Sequence, residues 1–175
     1  MIREFITEAD EDTFMAVELG LRADPHAFVT RTLWEIQQHA PALLRFIAAS
    51  SVPYRNEGDS FPLGMLTTLV ALWRFSTERG MTNELLALLV LADEDFCERN
   101  GALFRGDTHG FSARARKIVL GDDDCAPPFV EFLATFSDTM ETFDCGAYAV
   151  LELFLRLEEE ERKESFGIVN PRLLN

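Results

Sequence analysis

The sequence predicts an all-α protein: a compact single-domain bundle of about six to eight helices around a central apolar helix near 63–77. Three observations predict it. Apolar residues recur with helical spacing almost everywhere, and no alternating strand pattern runs beyond four residues. At 175 residues the length suits one domain, expected to cover 1–175 with a short C-terminal tail from about 167. Apolar residues make up 47% of the chain and Phe occurs fifteen times, enough to fill a core without staples.

The elements follow from their boundary residues. Thr7 has the position of an N-cap, with acids through the first turn (Glu8, Asp10, Glu11, Asp12) where the helix dipole favours them. That helix should run to about Arg22. Asp24-Pro25 reads as N-cap and first residue of a second helix. Pro41 should break it near His39, leaving a third segment through Ala49. Residues 51–62, with two prolines, Asn56 and Gly58, read as a loop.

Leu63 to Thr77 is apolar nearly all round, the mark of a buried helix. Gly80 should end it as the residue after the C-cap. Thr82 is expected to cap the next helix, which should run to about Asn100. A second loop spans Gly101–Gly110, and Ser112 opens a short basic helix ending at Gly121. After Pro127-Pro128 comes an amphipathic stripe of Phe129, Phe132, Leu133, Phe136, Met140 and Phe143. Asp144 is expected to restart the helix, with Phe143 and Tyr148 at the spacing of a hydrophobic staple. The last helix should turn Leu151, Phe154 and Leu155 inward. Its surface should pair Glu158 with Arg162 and Glu159 with Lys163, acid first and four apart.

Charge narrows the class of partner. Sixteen Lys plus Arg face thirty Asp plus Glu, a net charge of −14. Such a chain approaches a nucleic acid or an anionic membrane against its own field, so neither is expected as a direct partner. A protein with a basic surface is. Cys97, Cys125 and Cys145 are odd in number and far apart, which fits a reducing, cytoplasmic setting. Met1 is not followed by a basic flank and apolar run, and no apolar run reaches the roughly 18 residues of a membrane span.

Chemistry-bearing patterns are weak. Glu35 and His39 stand four apart, whereas di-metal bundles use Glu-x-x-His on more than one helix, so they read as a surface pair. Asp93 and Cys97 share a helix face without further ligands nearby, and Asp95–Arg99 reads as a surface ion pair. Asp122, Asp123 and Asp124 lie between Gly121 and Pro127 and read as a loop. Arg114, Arg116 and Lys117 form a basic cluster read as internal charge compensation. There is no nucleophile elbow and no phosphate-binding glycine loop, and only His26, His39 and His109 are histidines. No catalytic residue, cofactor or metal is therefore expected.

The function expected is an acidic protein-binding module: an inhibitor, immunity or adaptor protein docking a basic partner, such as a nucleic-acid-handling protein. Its candidate contact residues are Glu8, Asp10, Glu11, Asp12, Asp93, Glu94, Asp95, Glu98, Asp122, Asp123 and Asp124, provided they share a face. One alternative is an enzyme or small-ligand binder with a pocket between the apolar helices 63–77 and 85–99, lined by Trp34, Trp73 and Phe75. Another is a chaperone-like regulatory domain that grips an apolar helix, marked by a large exposed apolar patch.

Overall fold

The structure, a computed structural model, describes residues 11–51, 61–101 and 140–165 together with Ile2, Glu4, Phe129, Phe132, Leu133 and Thr135; the side chains of Ser51 and of 140–144 are outside this set, as is the greater part of the two loops expected at 51–62 and 101–110. Among the described residues the chain forms α-helices and no strand. The helices are α1 (Glu11–Ala23), α2 (Pro25–His39), α3 (Pro41–Ser51), α4 (Phe61–Glu78), α5 (Thr82–Leu91), α6 (Glu94–Asn100) and α7 (Met140–Ser165). The all-α bundle expected from the sequence is what forms. The Thr7 cap, the basic helix at 112–121 and Asp122–Asp124 lie outside the described residues.

The early boundaries follow the cap chemistry. Asp24 accepts the Ala27 backbone N–H at 3.0 Å, and Pro25 stands at the first helical position, where its missing N–H is harmless. Pro41 separates α2 from α3, with Ala40 between them in a non-helical conformation. Gly80 has φ +68°, and the Met81 N–H donates to Ser76 O at 2.7 Å across it. This closes α4 with the bond pattern that glycine at this position permits.

Three boundaries differ from expectation. The central helix starts at Phe61, two residues earlier than its apolar run, because Pro62 fits a first helical turn. Thr82 is the first helical residue of α5 and not its cap; Met81 holds that position without a side-chain bond. The single helix expected over 82–100 is two helices, α5 and α6. The Asp93 carboxylate accepts the Phe96 N–H at 2.8 Å and starts a new helix there, a local bond that competes with continuing the old one.

The last helix also departs from the reading. Met140–Ser165 is continuous, so Asp144 lies within it and does not restart it. The Phe143 side chain is outside the described set, so the staple with Tyr148 is too. Leu151, Phe154 and Leu155 are buried as expected, yet so is nearly every residue from Cys145 to Leu157. α7 is thus a second central helix. It lies along α4 and also packs on α5, while α1 and α2 cover other sides of α4.

Close approach makes the α4–α7 contact possible. A Cβ at Gly146 would overlap the Phe61 carbonyl oxygen and stand 2.9 Å from Met65 N. Only glycine lets the backbones meet there. At the other end of α4, Phe75 meets Phe14 of α1 and Phe129 edge-on at centroid separations of 4.8 and 5.1 Å. Phe14 also stacks on Phe132 at 4.8 Å. Aromatic pairs of this kind add about 1 kcal/mol each beyond their burial.

Gly146→Ala forces a methyl into backbone and should cost about 1–3 kcal/mol as an overpacking change. We expect a lowered unfolding midpoint in chemical denaturation. An unchanged midpoint would contradict so close a crossing.

Candidate functional site

The carboxylates singled out from the sequence fall into three groups. Glu8, Asp10 and Asp122, Asp123 and Asp124 lie outside the described residues. Glu11 and Asp12 are exposed on the first turn of α1. Asp93, Glu94, Asp95 and Glu98 are exposed on α6 or just before it. α1 packs on α2 and α4, whereas α6 packs on α3, and its Arg99 bonds Glu160 of α7 at 3.0 Å. That last bond crosses helices, in place of the Asp95–Arg99 pair expected along α6.

Several of the protein's acids already have internal work. Asp93 is the cap of α6. Glu94 pairs with Arg45 of α3 at 2.8 Å, with both side chains largely exposed. Glu158 pairs with Arg162 at 3.4 Å, as its spacing suggested. Glu152 is fully buried in α7, and its Oε1 accepts from Arg156 at 2.6 Å. Arg156 also donates to Asn100 Oδ1 at 3.1 Å, tying α7 to α6. Among the described residues Glu152 Oε2 is buried without a hydrogen-bond partner, and Arg156 is the cation that answers its charge.

Glu35 has a role that its pairing with His39 did not suggest. Its Oε2 accepts the Trp73 indole N–H at 2.8 Å, and Arg31 donates to its Oε1 at 3.2 Å. Arg74 stands 3.8 Å from the same carboxylate, donates to Thr32 Oγ1 at 2.7 Å and covers the Phe28 ring. The His39 ring lies nearly parallel to Trp73 at 6.1 Å. This constellation docks α2 on α4. Among the described residues no group of three or more His, Cys, Asp or Glu is placed to hold a metal.

Cys97 and Cys145 are buried thiols. Burial first, then the Asp93 charge, pushes the Cys97 thiol up to about 11 from its ordinary 9.0; Arg45 acts in the opposite sense and Glu94 adds to the rise. A thiol so held is protonated at neutral pH and a poor nucleophile.

The residues expected to line a pocket differ in burial. Trp73 and Phe75 are buried in the core, whereas Trp34 is 61% exposed. Trp34 instead lines a groove of about 530 Å³ formed by α2, α3 and α4. α2 contributes Thr30, Leu33, Trp34 and Gln37. From α3 come Leu44, Ile47 and Ala48, and from α4 Pro62, Met65 and Leu66. Among the described residues no lining side chain is charged. Ile47 and Met65 are fully buried and make the floor, while Trp34 and the 37% exposed Leu66 stand at the rim. A second cleft of about 480 Å³ lies between α5 and α7, where Glu84, Glu158 and Glu161 face Arg162.

The groove was only partly legible. α2 turns Thr32 and Ile36 to the core, yet Leu33 and Trp34 beside them widen its apolar stripe beyond what burial against α4 needs. That surplus was the available signal. No described helix is long and apolar enough to cross a membrane. The chain matches no known family model, curated protein or solved structure in comparison.

The Cys97 shift has a consequence for stability. The folded-state value lies above the ordinary one, so the contribution is fully present below about 9 and lost as pH rises through about 11. We expect the midpoint of the wild-type protein to fall more steeply over that window than that of Cys97→Ala. Parallel pH profiles would contradict it.

Proposed function

We propose that this chain is a protein-binding module whose contact surface is the groove between α2, α3 and α4. The observation that carries the reading is the exposed Trp34 beside an uncharged concave surface. An indole left in water costs free energy that a partner's apolar side chains recover, and Trp is enriched among residues that dominate binding energy. Leu66 shares this groove, whereas the exposed Met15 and Leu19 on α1 and Val90 on α5 do not line it.

The net charge of −14 supports a basic protein as the partner, since complementary charge speeds encounter and rejects acidic competitors. The residues from Pro25 to Gly80, which build the groove, total only +1. Nearly all the acidity therefore lies on the elements around them. Attraction and apolar contact are divided between different parts of the surface in this reading. An inhibitor, immunity or adaptor role needs no chemistry beyond such binding.

Immobilised wild-type protein and Trp34→Ala, both checked for equal helicity, are compared in pull-downs from the native host. We expect a basic protein retained by the wild type and reduced at least tenfold by the substitution, about 1.4 kcal/mol or more. Met15→Ala should retain it. Equal retention by Trp34→Ala would overturn the reading.

A further inference from the structure

We propose that the groove and the acidic α6 form one composite surface that binds a cationic amphipathic helix of a partner protein. The inference rests on the protein-binding reading above and specifies the chemistry of its partner.

The groove's length argues for a helix. Its α2 wall runs from Thr30 to Gln37, two turns or about 10 Å at the helical rise. That is the distance from i to i+7 on a docked helix, so apolar side chains at i, i+3 or i+4, and i+7 reach from end to end. The lining selects an apolar face, because a charge placed there would lose water and find no counter-ion among the described lining residues.

The position of α3 argues for the cationic flank. Leu44 and Ile47 face the groove, and Arg45, one residue on and about a quarter turn round the helix, reaches Glu94 of α6. α6 packs on α3, so the exposed Glu94, Asp95 and Glu98 belong to the helix next to one wall of the groove. Lys or Arg on that side of a docked helix reaches toward them. The Arg45–Glu94 pair in between is exposed on both sides, at 65% and 82%, and such pairs hold weakly. A partner's cation can replace Arg45 on Glu94 with little loss.

The test titrates the full chain with three helical peptides of one apolar face and cationic, neutral or anionic polar faces, and reads the emission of Trp34. Trp34→Phe supplies the contribution of Trp73. We expect a blue shift with the cationic peptide, at least tenfold tighter binding than for the neutral one, and none with the anionic one. Combining Glu94→Gln, Asp95→Asn and Glu98→Gln should abolish the preference for the cationic over the neutral peptide, and 0.5 M salt should do the same. Leu66→Glu should abolish binding of the cationic and neutral peptides. These substitutions are at exposed positions, and circular dichroism confirms the fold.

Equal binding of cationic and neutral peptides would overturn the cationic inference and leave the protein-binding groove standing. Failure of every peptide, with retention of the host protein unaffected by Trp34→Ala, would overturn both. Blue shift of Trp34 by a small apolar dye but by no peptide, or by self-association on concentration, would replace the helix with that occupant.

Discussion

The backbone contact between α4 and α7 at Gly146 sets the rest of the structure. With no side chain at that position, the two helices bury nearly all of their facing surfaces, and each becomes a central element. α1 and α5 then pack on the pair, and the Phe14, Phe75, Phe129 and Phe132 rings fill the end where α1 crosses α4. Because α7 and α1 already occupy much of α4, its Pro62–Leu66 turn is left to be shared with α2 and α3. Those two helices cover it incompletely.

The acidity does two kinds of work. Part of it is structural: Asp24 and Asp93 cap helices, Glu35 holds Trp73, and Glu152 anchors Arg156 and through it Asn100. The remainder is a field. Exposed pairs such as Arg45–Glu94 contribute at most about 1 kcal/mol to folding. Their value in the proposed function lies in being exchangeable. A partner's cation finds carboxylates that give up little when they change partners, beside a groove whose apolar walls hold the contact.

Much of the fold could be read from the chain, for reasons that particular residues make plain. Asp24-Pro25, Pro41 and Gly80 act within one turn, and local rules place them correctly. The α5–α6 break was missed because the Leu-rich run 85–91 continues its helical spacing into Asp93, and only the carboxylate's bond to Phe96 N decides between continuing and restarting. The central place of α7 was missed because Glu152, Arg156 and Glu158 look like a solvated face. Glu152 is held inside by the partly exposed Arg156, which also bonds Asn100 of a helix distant in sequence, and Glu158 pairs with Arg162. The groove joins three helices, so its outline needs their packing; its single local trace is the surplus of apolar width at Leu33 and Trp34.

Amide chemical-shift mapping of the labelled chain with the cationic helix tests the central claim most directly. Binding at the proposed surface perturbs Thr30–Gln37, Leu44–Ala48 and Met65–Leu66 together with Asp93–Glu98, and leaves Met15–Leu19 and Val90 in place. Shifts centred on α1 or spread over the acidic surface without the groove would contradict it.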